Sequence, residues 1–425
     1  MKTKVKILMI TILSLALFNQ CNKDNEFDQN LGISDDNFLK ALIERGYDLN
    51  ADSIISRDET EAVTHLDLSR ANISDLSGIE NFTNLETLLC YQNNLKLVDL
   101  SKNKALKILN CNWNQIRYIN LDNPKLEELY CSQNQLTYLD LSIITSLKKI
   151  DCSNNLLSTF NVSQNFFLKE INCDENSLKI LDVSNIASLE SLKCYNNRLT
   201  SLDVTKNINL TYLDCNVNYL NDLNVSNNKA LEYLNCNNNL GLTKLDVTFN
   251  PRLKYLACSP CPLSSLDVSK NTLLEELICG GGKLFTSLDV SKNPALKTLY
   301  CVFNNLSELD VSKNTELIDL NCEYNPLFHL DISKNVKLKS LSCRANELKN
   351  LDVSNNLLLN VLVCSSNPLT SLNISQQKEI SMLWIEDMPA LKKVCVSTLP
   401  FPPKNLQLRK ENSPNVYFST DCNND

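Results

Sequence analysis

Fourteen cysteines recur at Cys90, Cys111, Cys131, Cys152, Cys173, Cys194, Cys215, Cys236, Cys258, Cys279, Cys301, Cys322, Cys343 and Cys364, spaced by 20 to 22 residues. So many thiols invite redox or metal chemistry. An evenly spaced column offers structural disulfides no pairing choice, although adjacent parallel strands about 4.8 Å apart would just tolerate the geometry. A free cysteine packs well as a small hydrophobe, so the column is expected to consist of buried, reduced thiols. Cys258-Ser259-Pro260-Cys261 has the form of a redox CxxC, yet Cys258 belongs to the column and Cys261 stands where other copies carry Asn. Zinc needs two further ligands at suitable spacing, and no second pair supplies them. With two histidines, His65 and His329, and seven glycines, His-based catalysis and phosphate-cradling loops are poor candidates. No paired carboxylates or supported nucleophile stand out, so the expectation is a protein that is not an enzyme and requires no cofactor. The formal charge of −8 comes with no basic stripe, which argues against nucleic acid.

The elements that must position these residues follow from a repeated frame. Leu106, Leu109, Cys111, Asn114, Ile116, Ile119 and Leu121 return as Leu189, Leu192, Cys194, Asn197, Leu199, Leu202 and Val204. In a short strand Leu109 and Cys111 face one side, while Ile108, Asn110 and Asn112 face the other. Apolar residues further along close the coil, so each turn of about 21 residues encloses part of a continuous core. Asn lies three residues after the cysteine in twelve of the fourteen copies, from Asn93 to Asn367. An inward amide there can bond backbone groups left unpaired at the strand end. The exceptions, Cys261 and Gly282, lie beside 22-residue spacings, so the ladder is expected to be irregular there.

Written generally, LxxLxCxxNxLxxLDVSxN resembles the leucine-rich repeat with cysteine in place of the third strand leucine. The resemblance covers roughly Val63 to Gln376. It implies an α/β-type, mostly β repeat solenoid: a leucine-rich repeat coil with a parallel concave sheet. The first repeat, Leu66 through Leu85 with Ile73, Leu76 and Ile79, is in the 22-residue style of internalins.

Residues 1–20 read as a signal peptide, because Lys2, Lys4 and Lys6 precede an apolar run from Ile7 to Phe18 that is shorter than the roughly 20 residues a spanning helix needs. Cys21 after that run, before a polar tether over 21–33, resembles a bacterial lipoprotein signal. That likeness implies lipidation at Cys21 and an outer-membrane, cell-surface location, otherwise a periplasmic or secreted one. Residues 34–63 form a small helical N-terminal cap, with a helix over Ser34 to Gly46 capped by Ser34 and Phe38, Leu39, Leu42 and Ile43 at helical spacing. Asp48 to Glu59 resembles an EF-hand loop. The likeness implies weak structural calcium, held by the side chains of Asp48, Asn50, Asp52 and Glu59 and the carbonyl of Ile54, with Ser53 forced to positive φ where Gly is usual. The repeats occupy 64–376, and 377–425 forms a C-terminal cap. There Ile385 stands in the cysteine slot, Leu391, Val394 and Val396 form a last incomplete rung, and Cys395 with Cys422 are candidates for a stapling disulfide.

With the frame constant, recognition falls to the variable outward positions. Tyr212, Tyr233 and Tyr255 share one slot on successive rungs, Tyr195 lies on a neighbouring column, and Asp214, Asn216, Asn235 and Asn237 lie alongside. Tyrosine is typical of binding hot spots. The expected activity is binding of a protein or peptide by a monomeric interaction or adhesion module. Carbohydrate binding and a purely structural envelope role are the alternatives. Glu128, Asp151, Glu170 and Asp174 on earlier rungs favour a basic or polar partner.

Overall fold

A computed structural model describes residues 31–282 and 285–422, so the leader and Cys21 lie outside the described residues. The chain divides into two compact units, Met1–Leu181 and Asp182–Asp425.

In the first unit a helix over Asp36–Glu44 buries Phe38, Ala41 and Leu42. Its cap is Asp35, one residue later than the sequence suggests: the Asp35 carboxylate accepts from the N–H groups of Asn37 and Phe38, while the Ser34 hydroxyl donates to Asp75, 2.8 Å away. A long-range partner has drawn Ser34 away, and a carboxylate caps at least as well as a hydroxyl. A second helix, Arg57–Ala62, starts in a reciprocal capping box between Ser56 and Glu59. Arg45 then ties the cap to the first rung, donating to the carbonyls of Asp67 at 2.5 Å and Ser69 at 2.6 Å. Strands His65–Asp67, Thr87–Leu89, Ile108–Asn110, Glu128–Tyr130, Lys149–Asp151 and Glu170–Asn172 follow, each paired in parallel with the next.

The second unit continues in the same style from Ser191–Lys193 through Tyr212–Asp214, Tyr233–Asn235 and Tyr255–Cys258. Each strand is short because a turn must close within 21 residues. Leu210, Leu213 and Cys215 are fully buried, as the frame requires. On leaving the strand the second residue after the cysteine takes a left-handed backbone in most rungs, for example Asn196 at φ 52°, Val217 at 52° and Asn238 at 55°. The third residue is the predicted amide. Asn218 donates to the carbonyls of Cys194 (2.9 Å) and Cys215 (3.1 Å), and its oxygen accepts from Leu199 N–H at 3.0 Å. One side chain thus satisfies groups on two rungs.

At the C-terminal end the main sheet runs on. Met382–Trp384 pairs with Val361–Val363, and Gln407–Arg409 with Met382–Trp384, so rungs extend well into the expected cap. The last incomplete rung expected around Leu391, Val394 and Val396 is placed differently. Lys393–Cys395 joins Ser371–Asn373 and Tyr417–Ser419 in a separate three-stranded sheet. Apolar alternation marks a strand there without saying which sheet takes it.

Candidate functional site

Strand register sets the geometry of the tyrosines. Tyr212 pairs with Tyr233 and Tyr233 with Tyr255, so three rings stand in line on the outward face. They stack nearly parallel, with centroids 4.2 Å apart at 5° and 4.3 Å apart at 7°. Lys193 sits over the outer face of Tyr212 with its ammonium 5.4 Å from the ring centre, a cation–π contact. Burial is the main cause that raises the phenols of Tyr233 and Tyr255 above their ordinary value, followed by their neighbouring tyrosines; both stay neutral at physiological pH.

The polar residues beside the rings also come together. Asp214 accepts from the backbone N–H and side-chain amide of Asn216 and from the amide of Asn235 at 3.3 Å. The Asn237 oxygen accepts from Ser259 N–H at 2.6 Å. Tyr195, half-buried, shares the column of Asn216 and Asn237 one rung before them. All eight residues singled out in the sequence therefore lie on one sheet face of the second unit. Stacking has a chemical consequence that spacing alone does not reveal: the inner ring faces are covered by each other. Tyr233 in the middle therefore presents its edge and hydroxyl rather than a ring face.

A second stack escaped the sequence reading. Phe303 and Tyr324 lie 4.1 Å apart at 7°, with the Arg344 guanidinium 6.0 Å from the Tyr324 ring centre. The signal was present, since both residues stand two positions after a column cysteine. Single aromatics in a variable slot do not announce that they will meet.

The column cysteines are buried, and none of them is in a disulfide. Burial pushes the thiols of Cys111, Cys301 and Cys364 up to about 12 and others further. A thiolate, the reactive form, is thus disfavoured throughout the column. Cys261 substitutes for the ladder amide: its thiol donates to the carbonyl of Cys236 at 3.3 Å. Among the described residues no group of three or more His, Cys, Asp or Glu side chains is gathered to hold a metal. Cys395 and Cys422, outside the column, are joined by a disulfide with Cα atoms 5.6 Å apart.

The cap loop folds around its own carboxylates. Asp48 accepts from the N–H groups of Asp52 (3.3 Å) and Ser53 (2.8 Å), Asp52 accepts from that of Ile54 (2.8 Å), and Asn50 donates to Asp52 at 3.0 Å. Glu59 accepts from Leu49 and Ser56 at 2.7 and 2.8 Å. Those hydrogen bonds hold the Glu59 carboxyl below its ordinary value, although its burial acts most strongly and in the opposite direction. Ser53 takes φ 64°, as its place in the loop requires. Backbone donors already serve the oxygens that calcium would use.

A second amide column was also missed, although the frame contained its Asn. Asn207, Asn228, Asn250, Asn271 and their counterparts are fully buried. Asn271 donates to the carbonyls of Val247 and Asn250, both at 2.9 Å, while its own oxygen has no partner.

No protein-family profile matches the chain. A curated relative, Internalin J of Listeria monocytogenes serotype 4b (strain F2365), is 36% identical over 69 residues, 16% of this chain and 7% of the relative. The match thus covers only a small part of that relative's length. A solved structure described as the functional domain of InlJ from Listeria monocytogenes, including a cysteine ladder, is 34% identical with a TM-score of 0.72, covering 85% of this chain and 79% of that one. The Leptospira interrogans leucine-rich repeat protein LIC12759 shares the fold at 19% identity and a TM-score of 0.56, over 82% of this chain and 93% of its own. The plant peptide hormone receptor RGFR1, solved with RGF2, does so at 20% and 0.59, over 80% and 65%. A parallel coil whose strands carry buried cysteine in the third apolar slot, with identity and coverage at that level, places the chain in the internalin-like family of leucine-rich repeat proteins.

Proposed function

We propose that the protein is a surface-anchored interaction module that binds a protein partner through the outward sheet face of residues 191–259. The single observation that supports it is the tyrosine ridge, where half-buried rings present edges and hydroxyls beside Lys193, Asp214 and the asparagines. Amphipathic tyrosines held rigid by their neighbours lose little side-chain freedom on binding, which is how such residues become hot spots. The peptide-bound plant receptor of the same fold is consistent with this reading.

The experiment uses a partner captured on the wild-type chain. Replacing Tyr212→Ala together with Tyr233→Ala is expected to weaken its affinity at least about tenfold, the scale of a single hot spot, with circular dichroism unchanged. Undiminished affinity in the folded double variant overturns the site. Anchoring belongs to the same proposal: lipid on Cys21 holds the protein in the membrane fraction at the cell surface, and Cys21→Ser releases it. Continued membrane association of that variant refutes the anchor. The disulfide between Cys395 and Cys422 supports a location outside the reducing cytoplasm.

Calcium in the cap is proposed as a weak ligand of Asp48, Asn50, Asp52, Ile54 and Glu59, because an ion must compete with backbone donors. Millimolar calcium is expected to raise the melting temperature of the cap by no more than a few degrees, about the effect of a ligand present near its Kd. A melting curve indifferent to calcium and chelator alike means that hydrogen bonds alone close the loop.

A further inference from the structure

On the first unit, Arg70, Tyr91, Gln92, Asn110, Asn112 and Trp113 line a small hollow of about 220 Å³ on the outward sheet face. We propose that it binds an acidic sugar, a pyranose ring bearing a carboxylate. The inference goes beyond protein binding and stands apart from the tyrosine ridge, which lies in the other unit.

Trp113 is the first observation. It occupies the left-handed slot two residues after a cysteine, at φ 59°. The same left-handed conformation recurs in this slot with Gln92, Gln133, Glu175, Val217 and Ala345 as well as with Asn154, Asn196 and Asn238, so the repeat sets the backbone there, and Asn is the type that tolerates it best. Trp113 is 56% exposed there, more than Val217 at 37% or Phe303 at 42% in the same slot, so burial does not account for the choice. Stacking does not explain it either. Phe303 and Tyr324 share that slot and lie on one another, whereas the neighbours of Trp113 along the column are Gln92 and Gln133. The exposed indole, with no aromatic neighbour in its column, points to a ligand.

The polar lining says which ligand. The side-chain oxygen of Asn110 accepts from Asn112 N–H at 3.2 Å, that of Asn112 from Ser132 N–H at 2.6 Å, and that of Gln92 from Arg70 Nε at 2.5 Å. Each amide is therefore pinned by its oxygen, and its NH₂ has no partner among the described residues. Arg70 is in turn set 5.7 Å from the Tyr91 ring centre, leaving its two terminal nitrogens available. The lining is thus rich in donors, with the Tyr91 hydroxyl as its free acceptor, and no carboxylate belongs to it. Such a surface selects a ligand rich in acceptors. A guanidinium fork matches a carboxylate, planar amides match ring hydroxyls, and the indole offers a ring something to lie on. An acidic peptide side chain would meet Arg70 but has no ring for Trp113.

The test is calorimetric titration of the full chain with uronic-acid and sialic-acid oligosaccharides, each beside its carboxyl-reduced form. At least one acidic oligosaccharide is expected to bind, with affinity falling about tenfold or more on reduction of its carboxylate, the loss of one charge-assisted pair. Trp113→Asn should abolish binding with the melting temperature unchanged or higher, because Asn tolerates the left-handed backbone best. Arg70→Gln should equalise the acidic and reduced sugars while the fold persists. The proposal is overturned if no acidic sugar binds, if the reduced forms bind equally well, if Trp113→Asn leaves binding intact, or if glutamate-rich peptides take the hollow in preference.

Discussion

Raising the pH from about 9 to about 11 is expected to unfold the protein cooperatively, and the cysteine column is the reason. In the unfolded chain a thiol ionises around its ordinary value of 9.0, whereas burial holds Cys111, Cys301 and Cys364 at about 12 and Cys90, Cys131, Cys279 and Cys343 well above normal. Between those limits the unfolded state has released protons that the folded state retains, so stability falls as pH rises. Below 9 the contribution is intact. One pH unit above the unfolded value, each such thiol costs about 1 kcal/mol, comparable with the roughly 1 to 3 kcal/mol that a rung of about 21 residues contributes at about 0.05–0.15 kcal/mol per residue. Far-ultraviolet circular dichroism against pH measures it. A native spectrum persisting beyond about pH 11.5 would falsify the account. As a control, alanine at Cys215, Cys236 and Cys258 should lower stability at pH 7 through small cavities, yet make the alkaline fall shallower.

The second large effect is at the inner amide column. Asn271→Asp replaces an NH₂ that donates to the carbonyls of Val247 and Asn250 with an oxygen facing both of them in a fully buried site. Two acceptors lose their donor, and an acidic oxygen loses its water. The expected cost exceeds about 4 kcal/mol, the range in which an unpaired buried charge breaks a fold. Asn271→Ala strands the carbonyls without adding charge and should cost about 2 to 4 kcal/mol. As a surface control, Asn227→Asp, at an exposed site beside Asn228 two rungs earlier, should change stability by less than about 0.5 kcal/mol. Because each rung contacts only its neighbours, hydrogen exchange should show the loss centred on the rungs at 247–293 rather than spread evenly along the chain. Near-native protection in Asn271→Asp would mean that the amide contributes little.

Much of this protein was legible in its amino-acid order. The inward slots of Leu210, Leu213 and Cys215, the parallel register, the reduced thiols and the bridging role of Asn218 all follow from one frame repeated at a fixed interval, since a coil with a fixed turn length must place like residues above like. Even the disturbance at Cys261 was visible as a change of spacing. Tertiary structure decided which side chain meets which across a rung, because that partner is supplied from about 21 residues away and not by local propensity. Ser34 lost the helix cap because Asp75 engages it. Lys393–Cys395 left the main sheet for another, and the inner amides received two donors' work with no donor for their own oxygens. The tyrosines covered one another's faces, whereas Trp113, lying between two glutamines in its column, stayed exposed. Periodicity settles position along and around the coil; whether a ring is stacked or free to take a ligand depends on its neighbours one turn above and below.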